Sequence, residues 1–157
     1  MAADIRGDII HDPAGLEALC RRNNVQLLVA FGSRVAGSPP PAPESDLDLA
    51  LLLKYGHDEP SAGILISQLP DFFPAHDVDM VILNRADPLL RNEIMRDSIL
   101  LYGDLDAYTA YRVFSRRDLM DSRALLELEE RLFEKKMAYI RSRVTANRPL
   151  RPGTPQK

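Results

Sequence analysis

The sequence predicts an α+β (α/β) domain, a mixed sheet flanked by helices, with a helical C-terminal extension. Three observations carry that expectation. Short apolar runs recur at residues 25–31, 48–53 and 78–83, each bounded by polar or turn residues, as buried strands are. Segments with helical spacing separate them, and from Asp104 onward the pattern is wholly helical.

The elements follow in chain order. Asp12-Pro13 starts a helix: the aspartate is a cap acceptor, and the proline's missing N–H costs nothing in the first turn. Leu16, Leu19 and Cys20 form its apolar face, and Asn23-Asn24 stops it. Val25–Phe31 is the first buried strand and Asp48–Leu53 the second. Ile64, Leu65 and Gln68 suit a short helix over 61–69, a crossover whose length fits a parallel or mixed sheet. The third strand, Val78–Leu83, precedes a second Asp-Pro start at Asp87-Pro88, whose helix carries Leu89, Leu90, Ile94 and Met95. Ser98–Tyr102 reads as an edge strand ended by Gly103, and the remainder as one or two long amphipathic helices, strongest over Ala124–Val144. The expected organisation is a core over 1–103, a helical extension over 104–144 that closes the core or meets a partner, and a disordered tail over 145–157 with three prolines. There are no internal repeats.

Composition bounds the class. A chain of 157 residues that is 45% apolar buries roughly 70% of its unfolded surface, enough for a core. Cys20 is the sole cysteine, which excludes an intrachain disulfide and a thiolate zinc cluster. No apolar run approaches the ~20 residues of a membrane span, and MAADIRGD lacks the apolar stretch of a signal peptide. The expectation is a soluble, cytoplasmic protein. The net charge of −3 is uneven: Arg148, Arg151 and Lys157 follow Val144 without an acid, which leaves 17 basic against 23 acidic residues, a net of −6, in residues 1–144. An acidic body argues against direct nucleic-acid binding and suits metal-assisted chemistry.

The chemistry lies in Phe31-Gly-Ser-Arg-Val-Ala-Gly-Ser38, a proline-rich loop, and Ser45-Asp-Leu-Asp-Leu-Ala50. Gly32 lets the backbone approach a ligand closely, and residues 33–36 could start a short helix whose N–H groups, with the Ser33 hydroxyl, would cradle a phosphate. Gly37 permits a turn. Asp46 and Asp48 sit two apart at the mouth of a strand, so both carboxylates aim to one side while Leu47 and Leu49 face the core. Two adjacent carboxylates resist joint ionisation unless a cation lies between them, and Mg²⁺ is the natural candidate. Asp79, directly before the apolar Met80–Leu83, would project beside them if the strands are neighbours; Asp77 competes for that third place but lies one step further out.

Gly32-Ser33, a loop, Asp46-x-Asp48 and a later Asp79 on another strand resemble the nucleotidyltransferase superfamily that includes DNA polymerase beta. The short chain, Gly32-Ser33-Arg34 and Ser45-Asp46-x-Asp48 make it similar to the MNT-type minimal nucleotidyltransferases, antitoxin partners of HEPN-domain toxins. The resemblance covers about residues 25–102. It implies a minimal nucleotidyltransferase fold in which Asp46 and Asp48 bind two Mg²⁺ ions and Asp79 completes one site and accepts the proton of the attacking hydroxyl. Gly32 and Ser33 would hold the β- and γ-phosphates of ATP, and Arg34 would reach the phosphates or pair with an acid. The implied acceptor is a tyrosine of a HEPN RNase toxin, silenced by adenylylation within a hetero-oligomer. Pro39, Pro40, Pro41 and Pro43 depart from the family's simplest loop.

Plainer readings stand beside these. An isolated Asp-x-Asp is usually a solvated pair, and the signal lies in its combination with Gly32-Ser33 and Asp79. His11, His57 and His76 read as loop residues, Cys20 as core, the proline run as a stiff connector, and Tyr108 and Tyr111 as packing residues. Glu127, Glu129, Glu130 and Arg131 read as a solvated face. Two alternatives to an adenylyltransferase remain: an antitoxin that neutralises by occlusion through its C-terminal helices, and an enzyme that modifies an antibiotic hydroxyl. The absence of a larger acceptor domain in this sequence argues against the last.

Overall fold

A computed structural model of the chain describes residues 10–36, 46–54, 59–74 and 77–146. Gly37, the proline run, Ser45, His57, His76 and residues 147–157 lie outside the described residues. The elements run α1 (Pro13–Arg22), β1 (Val25–Phe31), α2 (Ser33–Ala36), β2 (Leu47–Leu53), α3 (Glu59–Gln68), a 3₁₀ turn (Leu69–Phe72), β3 (Val78–Ile82), α4 (Pro88–Arg96), β4 (Ile99–Gly103) and α5 (Leu105–Ala146).

The helix starts form as their sequences dictate. Asp12 Oδ1 accepts from Gly15 N at 3.0 Å, and Asp87 Oδ1 from Leu90 N at 2.9 Å, each with proline in the first turn. Asp104 caps α5 in the same way, its Oδ2 accepting from Ala107 N at 2.9 Å. No glycine or proline interrupts residues 105–146, so the expected one or two helices are a single helix that continues two residues into the segment read as tail. The helix expected over 61–69 starts and ends earlier, because Pro70 turns the chain into the 3₁₀ segment.

The strands pair in the order β3-β2-β1-β4, with β1 antiparallel to both β2 and β4 and β3 parallel to β2. The sheet is mixed, and Ile99–Gly103 lies at its edge, as expected. Alternation divides its side chains between two layers. Leu28, Ala30, Leu47, Leu49, Leu51 and Leu53 pack with Leu16, Leu19 and Cys20 of α1 and with Ala62, Leu65, Leu69 and Phe73. Leu27, Val29, Ala50 and Leu52 pack on the other side with Leu83, Ile94, Met95, Leu100 and Tyr108. Both central strands are buried on both faces, which explains their unbroken apolar runs.

Two polar clasps fix the turn after β3. Asn84 accepts from Leu53 N at 2.9 Å and donates to Leu53 O at 3.1 Å, so a side-chain amide prolongs the ladder by one residue. Arg91 donates to Ala86 O at 2.7 Å and ion-pairs with Asp118. Tyr108 donates to Ser98 O at 2.7 Å, and Tyr111 packs against the second layer, so both tyrosines are packing residues.

The chain divides into two compact units. The first runs through Leu119 and holds the sheet and the start of α5. The second begins at Met120; its described part is the helical segment to Ala146. There Leu125, Leu128, Leu132, Phe133, Tyr139 and Ile140 are exposed. No helix among the described residues is long and apolar enough to cross a membrane.

Candidate active site

β1 ends where β2 begins, and that end of the sheet gathers the acids. Phe31 is the register partner of Asp48 on the antiparallel side, and Asp79 is its partner on the parallel side. Directly paired residues in neighbouring strands present their side chains to the same face. Asp48 and Asp79 therefore share the face that carries Ala50, Leu52 and Val81 further along. Leu47 and Leu49 point into the opposite layer and are fully buried, as the alternation predicted. Asp46 stands just before the strand and is exposed; Asp48 is half-buried; Asp79 is exposed. Asp77 is held by its backbone, its carbonyl accepting from Leu47 N at 2.7 Å.

Gly32 closes the site from the β1 side. Its φ of +79° lies in the region that disfavours side chains, and a Cβ there would sit 2.1 Å from Asp48 Oδ2. The close approach that glycine permits is thus to the Asp48 carboxylate itself, a reason the sequence did not suggest. Ser33 opens the short α2 directly after Gly32 and is exposed, and Arg34 beside it is half-buried. Val35 N donates to Gly32 O at 3.1 Å, which fixes the turn out of the strand.

The electrostatics follow from this crowding. The Asp48 carboxyl is pushed above its ordinary value first by burial, then by the charges of Asp79 and Asp46. Asp77 is not among the charges that raise it. Among the described residues, no group of three or more His, Cys, Asp or Glu side chains is arranged as a set that could hold a metal ion. Mg²⁺ does not require one, since one or two carboxylates with water and substrate phosphate oxygens satisfy it. A hard oxygen-donor set whose central member is destabilised by its neighbours fits such a cation.

A cavity of about 670 Å³ opens at the other end of the sheet, beside Val25, Gln26, Lys54 and Tyr102. It takes no part in the acidic site. Sequence reasoning passed over Asn84, whose side-chain amide ties the end of β3 to Leu53 and so supports the β2–β3 register that pairs Asp48 with Asp79. Its signal was non-local: the bond spans 31 residues of sequence.

A mixed sheet with acids at the start of two neighbouring strands, facing a glycine turn at the end of a third, is the architecture of a minimal nucleotidyltransferase. The family model described as "Polymerase beta, Nucleotidyltransferase" matches residues 15–106, and the chain belongs to that family. Several solved structures share the fold. A toxin–antitoxin structure with AMP-PNP superposes with a TM-score of 0.56 at 23% identity, over 74% of this chain and 96% of that one. A mutant toxin–antitoxin MntA-HpeT gives 0.55 at 20% identity, over 74% and 96%. A tri-AMPylated Shewanella oneidensis HEPN toxin in complex with MNT antitoxin gives 0.51 at 21%, over 73% and 92%. No curated protein matches the chain.

Proposed function

We propose that the protein is an antitoxin that acts as a protein adenylyltransferase, moving AMP from ATP to a tyrosine of a HEPN-type RNase toxin. The observation that carries this reading is Asp48, paired with Asp79 across β2 and β3 and set against the Gly32 turn within a nucleotidyltransferase fold, its carboxyl raised by burial and then by Asp79 and Asp46. The similar structures contribute the acceptor and the nucleotide: one is named for an AMPylated HEPN toxin with its antitoxin and another for AMP-PNP.

In this reading Gly32 and Ser33 hold the β- and γ-phosphates and Arg34 neutralises phosphate charge. Asp46, Asp48 and Asp79 would hold two Mg²⁺ ions, which supply charge stabilisation to the entering and leaving oxygens. The tyrosine hydroxyl attacks the α-phosphorus in line. A new P–O bond forms to the phenolic oxygen as the bond to the β-phosphate oxygen breaks and pyrophosphate leaves. The phenolic proton passes to the Asp79 carboxylate. The complex with the toxin is a hetero-oligomer in the cytoplasm.

The test is transfer itself. Purified protein with ATP and Mg²⁺ should add adenylate mass to the toxin encoded beside it, at a tyrosine located by peptide mass spectrometry. Asp46→Asn and Asp48→Asn should each lose the transfer while retaining the fold by circular dichroism. Full transfer by either variant overturns the reading. Toxin protection that survives without transfer points instead to neutralisation by binding alone.

A further inference from the structure

The second unit carries a pattern that the acidic site does not use. Residues 121–134 hold five acids against two arginines, whereas residues 135–144 hold four basic residues and no acid. The helix therefore has an acidic half followed by a basic half. Helices commonly place opposite charges three or four residues apart, where they support each other. Glu129, Glu130, Lys135 and Lys136 do not: none has an opposite charge at either spacing on either side. Glu130 with Glu134, and Arg131 with Lys135, even place like charges four apart, which disfavours an isolated helix. These side chains are exposed.

The order is mirrored about the midpoint between Leu132 and Phe133. Counting outward, Arg131 answers Glu134, Glu130 answers Lys135 and Glu129 answers Lys136. The apolar positions obey the same mirror: Leu128 answers Met137, Leu126 answers Tyr139 and Leu125 answers Ile140. Over residues 125–140 only Glu127 and Ala138 break the rule. A mirror that keeps apolar positions and inverts charge is what a two-fold antiparallel contact requires. Residues equidistant from the axis then meet at one height on opposite chains. Glu129 and Lys136 are seven residues apart, so they point to the same side of the helix within about 20°. They would meet twice, once at each end of the contact. Leu132 and Phe133, at the centre, are 55% and 63% exposed, so the middle of the pattern is bare apolar surface.

We infer that residues 125–140 form a self-association surface, on which a second copy of this chain packs antiparallel about the Leu132–Phe133 midpoint. The charge complementarity selects this occupant: over residues 125–140 a reversed copy of the same helix sets apolar residues against apolar ones and basic against acidic, Glu127 and Ala138 apart. A partner with a uniformly acidic or basic face would leave one half of the helix repelled.

The experiment uses the full chain and charge exchange, read by sedimentation equilibrium. The chain should form dimers that weaken as salt rises. Glu129→Lys places lysine against lysine at both ends, and Lys136→Glu places glutamate against glutamate. Each should raise the dimer dissociation constant about tenfold or more. The double variant Glu129→Lys/Lys136→Glu should recover dimerisation, because both contacts are again opposite in sign. An equimolar mixture of the two single variants should pair with each other more tightly than either pairs with itself. Recovery and mixing together exclude a folding defect as the cause. A chain that stays monomeric, dimers indifferent to these charges, a double variant without recovery, or single variants that do not pair with each other each overturn the inference. So does a helix that dimerises only after a different protein is added.

Discussion

Like charges crowd together at one end of the sheet, whereas along the second half of α5 opposite charges are sorted into blocks. At the sheet end, burial and then the charges of Asp79 and Asp46 raise the Asp48 carboxyl, and strand pairing holds Asp48 beside Asp79. Along the helix, an acidic half precedes a basic half, and Glu129, Glu130, Lys135 and Lys136 have no opposite charge three or four residues away. Neither arrangement lowers the free energy of the chain by itself. The difference lies in what would relieve each. Crowded carboxylates call for a small cation and phosphate oxygens. A sorted, mirrored helix calls for an extended surface with the opposite order. Chemistry and assembly thus place different demands on charge, and the two regions meet them with different local geometry.

The comparison breaks most decisively at the acids. Asp48→Asn keeps the shape of the side chain but removes the charge beside the Gly32 turn. We expect transfer to fall by about a thousandfold or more, the scale seen when a group stabilising transition-state charge is lost. Radiolabelled ATP with the purified toxin would measure it. Glu129→Lys on the helix should leave the rate per chain unchanged, because that charge belongs to assembly alone. If Glu129→Lys lowers transfer as far as Asp48→Asn does, the two regions are not separable.

A stability effect of intermediate size is expected at Gly32. Alanine there must adopt φ +79° and place its methyl 2.1 Å from Asp48 Oδ2. The backbone cost alone is about 1–2 kcal/mol, and relieving the clash displaces Asp48. Urea denaturation should show the loss, and transfer should fall with it. A double-mutant cycle sharpens the point. In an Asp48→Ala background the carboxylate is gone, so Gly32→Ala should cost only the backbone part. Equal costs in both backgrounds would mean that the Gly32–Asp48 contact has no energetic weight.

Much of this was legible in the sequence, and what was not has a common cause. Asp12-Pro13 and Asp87-Pro88 announced their helices because capping depends on residues within one turn. Val25–Phe31 announced a buried strand because both its faces are apolar. Asp46, Asp48 and Asp79 could be named, but their meeting depends on β3 pairing parallel to β2 with Asp79 opposite Asp48. That register is set after a crossover helix and is pinned by Asn84 on Leu53, a contact 31 residues long in sequence. The sequence left one or two C-terminal helices open, and the structure has one, uninterrupted by glycine or proline. The role of Gly32 was only half readable: a turn glycine was evident, its contact with Asp48 was not. Local rules reached the elements, and pairing across the sheet decided what they brought together.

The smallest expected effect tests the cost of crowding directly. Asp48 has a raised pKa in the folded chain, against an ordinary value of 3.8, with burial as the leading cause and Asp79 and Asp46 behind it. A carboxyl whose pKa is higher folded than unfolded binds its proton more tightly in the fold. Its penalty is absent at pH values below the unfolded pKa and is present in full once the pH exceeds the folded one. Asp48→Asn should therefore be more stable than the parent at pH 7 and no more stable at pH 3. Asp48 is half-buried, so solvent screening holds the gain under about 1 kcal/mol. Thermal unfolding of both chains across that range would detect it. Mg²⁺ should narrow the gap at pH 7, since a cation relieves in the parent the repulsion that the substitution removes. A parent more stable than Asp48→Asn at pH 7 without Mg²⁺ would show that the carboxylate is already stabilised within the chain, and the acids would then have no need of a cation.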